Sequence, residues 1–563
     1  MSRIEERAIP DAACKALILE GVHPVLAKIL SARGIVSKEE LANTFSHLIP
    51  PNQMLNLDKA ATLLADTIDA GQKMTVVADY DCDGATACAV AVLGIRMLGG
   101  KIDFVVPSRF DNGYGLTPAI SEMVKYRHGA DLLITVDNGI SSVEGVAKAV
   151  ELGMKVLVTD HHLPGEHIPQ NCVIVNPNQK GCPFPSKNLA GVGVIFYVLL
   201  GLRAELRKRG RFAIANQPKL DNLLDLVALG TVADIVPLDH NNRILVSQGL
   251  LRIKRGMTRP GVRALFRVSS RSTMNASVSD LGFVVGPRLN AAGRLADMAM
   301  GVNCLLTNDN QKAFTFANEL DRINRERQQL EESMRQDVQA MTGGINARDV
   351  YTICMASSNW HQGVVGLLAT RIRETHYRPA IIFTEDKKGN LQGSGRSIPH
   401  LHIRDAIAQI AEEHPGVVLK FGGHAMAAGL TIAKDALEVF KEAFEQVARE
   451  HLTPEQLVPV IDTDGPLDMQ YLNEGFIELL DSQTWGQGFP PPLFYDEFTV
   501  KNQRILKNTH LKLELVKDGK RYEAIQFRNN VMLPEKVKLV YRPCINEFNN
   551  NRSIQLNIQA VAD

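Results

Sequence analysis

The chain has 563 residues, 45% apolar and 22% charged, too long for one ordinary hydrophobic core and typical of a soluble globular protein of three or four domains. Lys plus Arg and Asp plus Glu both total 62, so no general basic excess advertises nucleic acid, and any such surface has to be local. The eight cysteines are scattered, with no CxxC pair and no secretory leader, and the strongest apolar stretch, 192–202, is well short of the roughly 20 residues a bilayer requires. A cytoplasmic protein with reduced thiols and no membrane segment is expected.

Residues 1–55 carry short helical patterns, including a Ser37-x-x-Glu40 capping box, and read as a helical extension with no chemistry of its own. From residue 74 short β-rich runs alternate with helical segments, the pattern of a parallel sheet covered on both faces. Strands are expected at 74–79, 102–106, 131–136, 155–159 and 172–175, with helices near 84–98, 117–127 and 141–151, and later at 189–208 and 219–229. The first strand runs into MTVVADYDCDG, where Asp79, Asp81 and Asp83 alternate. Packing asks for no such crowding. Carboxylates this close repel one another and resist ionisation, so a cation is the expected neutraliser. Cys82, between two of them, is expected to project the other way.

Three further acidic stretches follow. ADLLITVDNG carries Asp137, KVLVTDHH carries Asp160, His161 and His162, and GTVADIVPL carries Asp234. Each has a bland reading as a turn or cap. In open α/β sheets, however, the loops at the carboxyl ends of the strands converge on one crevice, so the stretches are expected to meet. Aspartates with imidazoles and no obligatory thiolate suit Mn²⁺ or Mg²⁺ better than structural zinc. The ligands exceed what one ion uses, which argues for two ions sharing a carboxylate and hence for phosphate ester or anhydride hydrolysis.

Residues 309–341 are rich in charge and free of glycine and proline until 343, and as one helix they would span roughly 45 Å. That linking helix separates the expected catalytic domain, 56–308, from a second α/β domain, 342–455. The second domain contains LQGSGRS and FGGHAMAAG, read as glycine-rich turns carrying Ser394, Arg396, Ser397 and His424, with Arg396 offering the planar fork that suits a phosphate. Residues 456–563 show strand-like runs at 497–501, 509–516, 521–527, 536–541 and 553–561, as in a small antiparallel barrel. Over 492–563 there are 12 Lys and Arg against 8 Asp and Glu, and interspersed aromatics would let one or two rings stack on bases.

DYDCDG, VDNG, TDHH, GTVAD and GGHAMAAG resemble the DHH phosphoesterase family and its associated substrate-binding domain. VPSRFDNGYGL, NLAGVGVIFY, GPRLNAAGRL, WHQGVVGLLATR, LQGSGRS and NEFNNNRSIQL extend the resemblance over most of the chain, to the family's single-stranded-DNA-specific exonucleases that degrade from the 5′ end. The resemblance implies an α/β fold: a parallel-sheet DHH domain, a long helix, a second α/β domain and an OB-like barrel. It implies two Mn²⁺ or Mg²⁺ ions on Asp81, Asp83, Asp137, His161 and Asp234, with Asp137 as the bridge and Asp79 completing one shell. His162 would hydrogen-bond the scissile phosphate, while Asp160 would either orient a histidine or ligate directly. Arg109, Ser394 and Arg396 would form the 5′-end pocket, with Arg288, Asn290 and His424 as further candidates. The implied product is 5′-mononucleotides, in recombination and repair alongside single-strand-binding protein and a RecQ-type helicase; a monomer is expected. Turnover of small substrates such as pyrophosphate, or a non-catalytic scaffold, are the rival readings.

Overall fold

The computed structural model describes residues 3–108, 115–342, 349–548 and 551–562. Contacts divide the chain into two units. One comprises residues 37–325 and 484–491, the other residues 1–36, 326–483 and 492–563.

The first unit is built on five parallel strands: β1 (Lys73–Ala78), β2 (Lys101–Val105), β3 (Leu132–Val136), β4 (Lys155–Thr159) and β5 (Val173–Val175), in the order β2-β1-β3-β4-β5. All neighbours run parallel, and the fully buried β3 shows why these strands read as unbroken apolar runs. Helices α1 (Cys82–Met97), α2 (Gly191–Lys208) and α3 (Leu224–Ala233) follow in the chain, then α4 (Gly286–Leu295) and the 33-residue α5 (Asn310–Thr342). The helix expected at 219–229 is in fact a tight turn at Leu220–Leu223 followed by α3. GTVA is therefore helical, and Asp234 is the residue that ends the helix. The boundary between the units falls inside α5, at 325/326.

The second unit holds a mixed sheet of β6 (Ile353–Ala356), β7 (Ala380–Glu385), β8 (Leu391–Arg396), β9 (Val418–Gly423) and β10 (Ala427–Ile432), ordered β9-β10-β8-β7-β6. Only β6 and β7 pair in parallel. LQGSGRS is thus a strand and not a glycine turn. A Cβ on Gly393 would lie 2.5 Å from the Phe383 ring, and one on Gly395 would lie 2.7 Å from Ile403, so these glycines make room for the core, which includes Phe440 and Phe444. FGGHAMAAG is a hairpin: β9 ends at Gly423, and His424 sits in the turn before β10.

The last five strands, β11 (Phe494–Leu506), β12 (His510–Lys517), β13 (Lys520–Gln526), β14 (Lys536–Phe548) and β15 (Asn551–Ala562), close into a barrel ordered β11-β12-β13-β15-β14. It is not wholly antiparallel, because β13 and β15 run parallel. The amino-terminal segment also departs from an independent helical extension. Its strand Arg3–Glu6 pairs in parallel with Val460–Thr463, and Arg33 forms a bidentate pair with Asp464 at 2.6 and 2.9 Å, both side chains buried.

Candidate metal centre

The carboxyl ends of β1, β3 and β4 and the end of α3 bring the four acidic stretches together. Asp81 caps α1, accepting the Gly84 N–H at 3.0 Å. Asp83, in the first turn, is buried, and its two oxygens accept the backbone N–H groups of Gly191 and Val192 at 2.6 and 2.9 Å. Those donors are the unpaired first N–H groups of α2, where a negative charge is favoured. Asp137 follows β3 with φ +62°, a conformation that aspartate tolerates better than bulkier residues. Asn138 locks this turn by donating to the carbonyls of Val77 and Val136 at 3.2 and 2.9 Å. Gly191 is required beside it, since a Cβ there would come within 2.6 Å of the Asp137 carboxylate.

His161 Nε2 lies 3.1 Å from Asp137 Oδ1, 3.5 Å from Asp234 Oδ2 and 4.0 Å from Asp83 Oδ2. Three sets of ligand atoms fall within 4.8 Å of one another: Asp83, His161 and Asp234; Asp79, Asp81 and Asp137; and Asp137, His161 and His162. Asp137 and His161 each belong to two sets.

Burial dominates the electrostatics. It pushes the Asp79 carboxyl up to about 8, with Asp81 adding repulsion, and Asp83 up to about 7 for the same two reasons. Asp137 and Asp234 are held well above the ordinary carboxylate range by burial and by the Asp83 charge. Burial and the neighbouring His162 pull His161 down to about 4, so its imidazole is neutral and able to ligate. The His161 ring also bonds to the backbone at Leu189, the kind of support that fixes a ligand histidine's tautomer. Asp137 Oδ1 and His161 Nε2 are buried without a hydrogen-bond partner. Buried polar atoms are rarely left so, and two of them facing each other among aspartates fit a divalent cation.

Asp160 is different. Its Oδ1 accepts the N–H groups of His161 and His162 at 2.7 and 3.1 Å and contacts His162 Nδ1 at 2.8 Å, while Oδ2 accepts Ile140 N–H at 2.9 Å. Although burial opposes it, the His162 bond keeps this carboxyl below its ordinary range. Burial likewise opposes charge on His162, yet Asp160 raises it to about 9. The geometry therefore has Asp160 orienting a histidine, and the histidine is His162. Cys82 opens α1, so strand alternation does not govern it; it is buried.

The expected substrate residues fare unequally. Asn290 Oδ1 accepts the Cys82 N–H at 2.8 Å and so ties α4 to the first acidic stretch. Arg288 is likewise engaged with the scaffold, bonding Asp321 on α5 at 2.9 Å and the Val284 carbonyl at 2.6 Å. Arg109 lies outside the described residues. In the second unit, Arg396 bonds Ser394 Oγ at 3.1 Å and the Gly395 carbonyl at 2.7 Å and has no carboxylate partner among the described residues. Burial and the nearby Arg373 lower its pKa, marking a cationic spot short of negative charge. The first turn of α6 (Val365–His376) abuts it: a Cβ on Gly366 would lie 3.0 Å from Ser394 Oγ and 3.1 Å from Arg396 Nη2. His424 is exposed in its hairpin turn.

Sequence reasoning assigned no role to several supports. Gly191 and Val192 hold Asp83, and Asn176 and Asn178 donate to the carbonyls of His162 and His161 at 2.9 and 2.6 Å. Backbone donors have no side-chain signature, and an Asn-Pro-Asn run reads as an ordinary turn.

Residues 73–231 match the DHH family, N-terminal domain, residues 348–450 the DHHA1 domain, and residues 463–560 the RecJ OB domain. The single-stranded-DNA-specific exonuclease RecJ of Haemophilus influenzae is 45% identical over 553 residues, 96% of each chain. That of Escherichia coli K12 is 45% identical over 552 residues, with the same coverage, and that of Bacillus subtilis 32% identical over 98% of this chain and 70% of the relative. The crystal structure of RecJ from Thermus thermophilus in complex with Mn²⁺ superposes with a TM-score of 0.84 at 28% identity, covering 100% of this chain and 79% of that one; its complex with Mg²⁺ gives 0.78 at 26%, covering 100% and 78%. Near-complete coverage at this identity, with all three domain models matched in this chain, settles the family: the chain belongs to the RecJ family of DHH phosphoesterases.

Proposed function

We propose that this protein is a metal-dependent single-stranded-DNA exonuclease that hydrolyses phosphodiester bonds from the 5′ end and releases 5′-mononucleotides. The observation that carries the reading is the facing pair of buried, unpartnered ligand atoms, Asp137 Oδ1 and His161 Nε2, within a cluster of four more aspartates. Asp83, His161 and Asp234 would hold one cation, Asp79 and Asp81 the other, with Asp137 common to both. Bound manganese or magnesium supplies Lewis acidity there, easing deprotonation of water and offsetting charge on phosphate oxygens. His162, kept protonated by Asp160, donates to the scissile phosphate. Ser394 and Arg396, with the start of α6, hold the 5′-terminal phosphate by charge and by helix N–H groups. The barrel, with its local basic surplus, holds the strand farther along and makes affinity salt-dependent.

Digestion of single strands labelled at the 5′ or 3′ end, with and without Mn²⁺ or Mg²⁺, tests the reading. Early release of the 5′ label as mononucleotide, only with metal, is expected; 3′ label appearing first overturns the polarity, and turnover of dinucleotides alone overturns the substrate. The partnership with single-strand-binding protein and a RecQ-type helicase, the monomeric state and a cytoplasmic location rest on the sequence reading and the resemblance. Among the described residues no helix is long and apolar enough to cross a membrane.

A further inference from the structure

Three large apolar side chains stand in water on segments next to the metal ligands or packed against the helix that carries one, where burial would be their usual fate. Leu163, directly after His162, is 62% exposed; Ile235, directly after Asp234, is 66% exposed; Phe283 is 83% exposed. Their placement follows from the backbone. His161 and Asp234 approach within 3.5 Å, so the residues that follow these two motifs emerge beside the same cluster. Phe283 lies in a wide-turn helical segment, Leu281–Val285, which runs along the end of α3. A Cβ on Gly282 would sit 3.2 Å from Val232 Cγ1, and one on Gly286 3.2 Å from Ala233 Cβ, the two residues just before Asp234. Wide-turn insertions of this kind recur at functional sites.

Ile235 adds a second, independent sign. Its φ is +60°, in the left-handed position that closes α3, where glycine or asparagine is the favoured residue and a β-branched one is an outlier. The strain is not repaid by packing, because the side chain is mostly in solvent. Strain without compensating burial, one residue from a metal ligand, points to a use in the bound state.

We propose that Leu163, Ile235 and Phe283 form an apolar rim that takes the nucleobases flanking the scissile phosphate. The inference rests on the exonuclease reading and deepens it. Phosphate is a ligand for cations, histidine and arginine, whereas the apolar part of a nucleotide that reaches one residue beyond its phosphate is the base, with its π face. In a duplex those faces are stacked and paired, so a rim that binds them selects single strands by what they expose. This acts in addition to any steric exclusion.

The test uses the full chain with single-stranded DNA carrying either normal nucleotides or abasic tetrahydrofuran residues at the first two 5′ positions. Ile235→Asn and Phe283→Ala are expected to lose about 5- to 100-fold in kcat/KM on normal DNA, the range of a lost base contact. On the abasic substrate wild type and variants should converge. Ile235→Asn should unfold no earlier than wild type, since asparagine suits the left-handed position, which separates lost contact from lost fold. Equal kcat/KM of wild type and both variants on normal DNA, or an equal fold loss on both substrates, overturns the rim. Wild type that releases no mononucleotides from normal DNA overturns instead the exonuclease reading beneath it.

Discussion

Binding of divalent cations should expel protons. In the metal-free centre Asp79 is pushed up to about 8 and Asp83 to about 7, with Asp137 and Asp234 well above the ordinary range. At pH 6.5 Asp79 holds its proton and Asp83 mostly does, whereas His161, at about 4, already has its lone pair available. Loading both cation positions must ionise the carboxyls that still carry a proton, releasing about one proton or more per chain. The titration of Mn²⁺ into metal-free protein, followed by calorimetry in buffers of equal pH and different ionisation enthalpy, reads this number as the slope of heat against buffer enthalpy. The slope should shrink as the pH is raised toward 9. The same shifts set the sign for stability. Because the folded pKa values lie above those of the unfolded chain, the metal-free fold gains from bound protons at low pH and loses that gain as pH rises through about 7 to 8. Added Mn²⁺ should therefore raise the Tm most at alkaline pH. A slope indistinguishable from zero at pH 6.5 would refute the account of a centre kept neutral by protons until cations replace them.

Other consequences can be measured directly. Asp160→Asn should leave Mn²⁺ stoichiometry intact while lowering kcat about 10- to 100-fold, as loss of a supporting carboxylate does, and the pKa of His162, followed by NMR, should fall from about 9 toward its ordinary value. Asn290→Ala strips the acceptor from the Cys82 N–H and should cost about 1–3 kcal/mol in denaturant unfolding, with weakened metal affinity. In Gly293→Ala the new methyl would meet the Tyr80 carbonyl at 1.8 Å; α4 or the acidic loop must move, and metal affinity should fall alongside a loss of about 1–3 kcal/mol. Arg396→Ala should raise KM for 5′-phosphorylated strands about tenfold or more while leaving KM for strands with a 5′-hydroxyl nearly unchanged, since a charge-assisted hydrogen bond to phosphate contributes roughly 1.5–3 kcal/mol.

Much of the catalytic fold is legible in the sequence because a parallel sheet writes its strands as unbroken apolar runs and places its chemistry at their ends. The observed β1, β3 and β4 lie within a residue of the expected spans. What escapes is whatever depends on a partner far along the chain. From the sequence, which gives no sign of their bonds to Asp321 and the Cys82 N–H, Arg288 and Asn290 read only as further candidates for the 5′-end pocket. The glycines of LQGSGRS suggest a ligand loop because sequence cannot show Phe383 and Ile403 filling the space their missing side chains leave. Arg3–Glu6, four residues without an apolar alternation, forms a strand only because Val460–Thr463 offers it an edge.

That last pairing constrains the order of events during synthesis. The carboxylate that accompanies Arg33 into the interior is made 431 residues later, so at about 5–20 residues per second the chain's first helices wait on the order of 20–90 s for the surface that shelters them. Residues 37–325, which contain every member of the metal cluster, emerge in the meantime. The nascent chain thus makes every ligand of the metal cluster before the segment that ties down its first helices, while residues 484–491 join the metal-bearing unit only afterwards. Early termination would leave Leu17, Leu26, Ile29 and Leu30, all buried in the finished protein, without their cover and recognisable to chaperones and proteases.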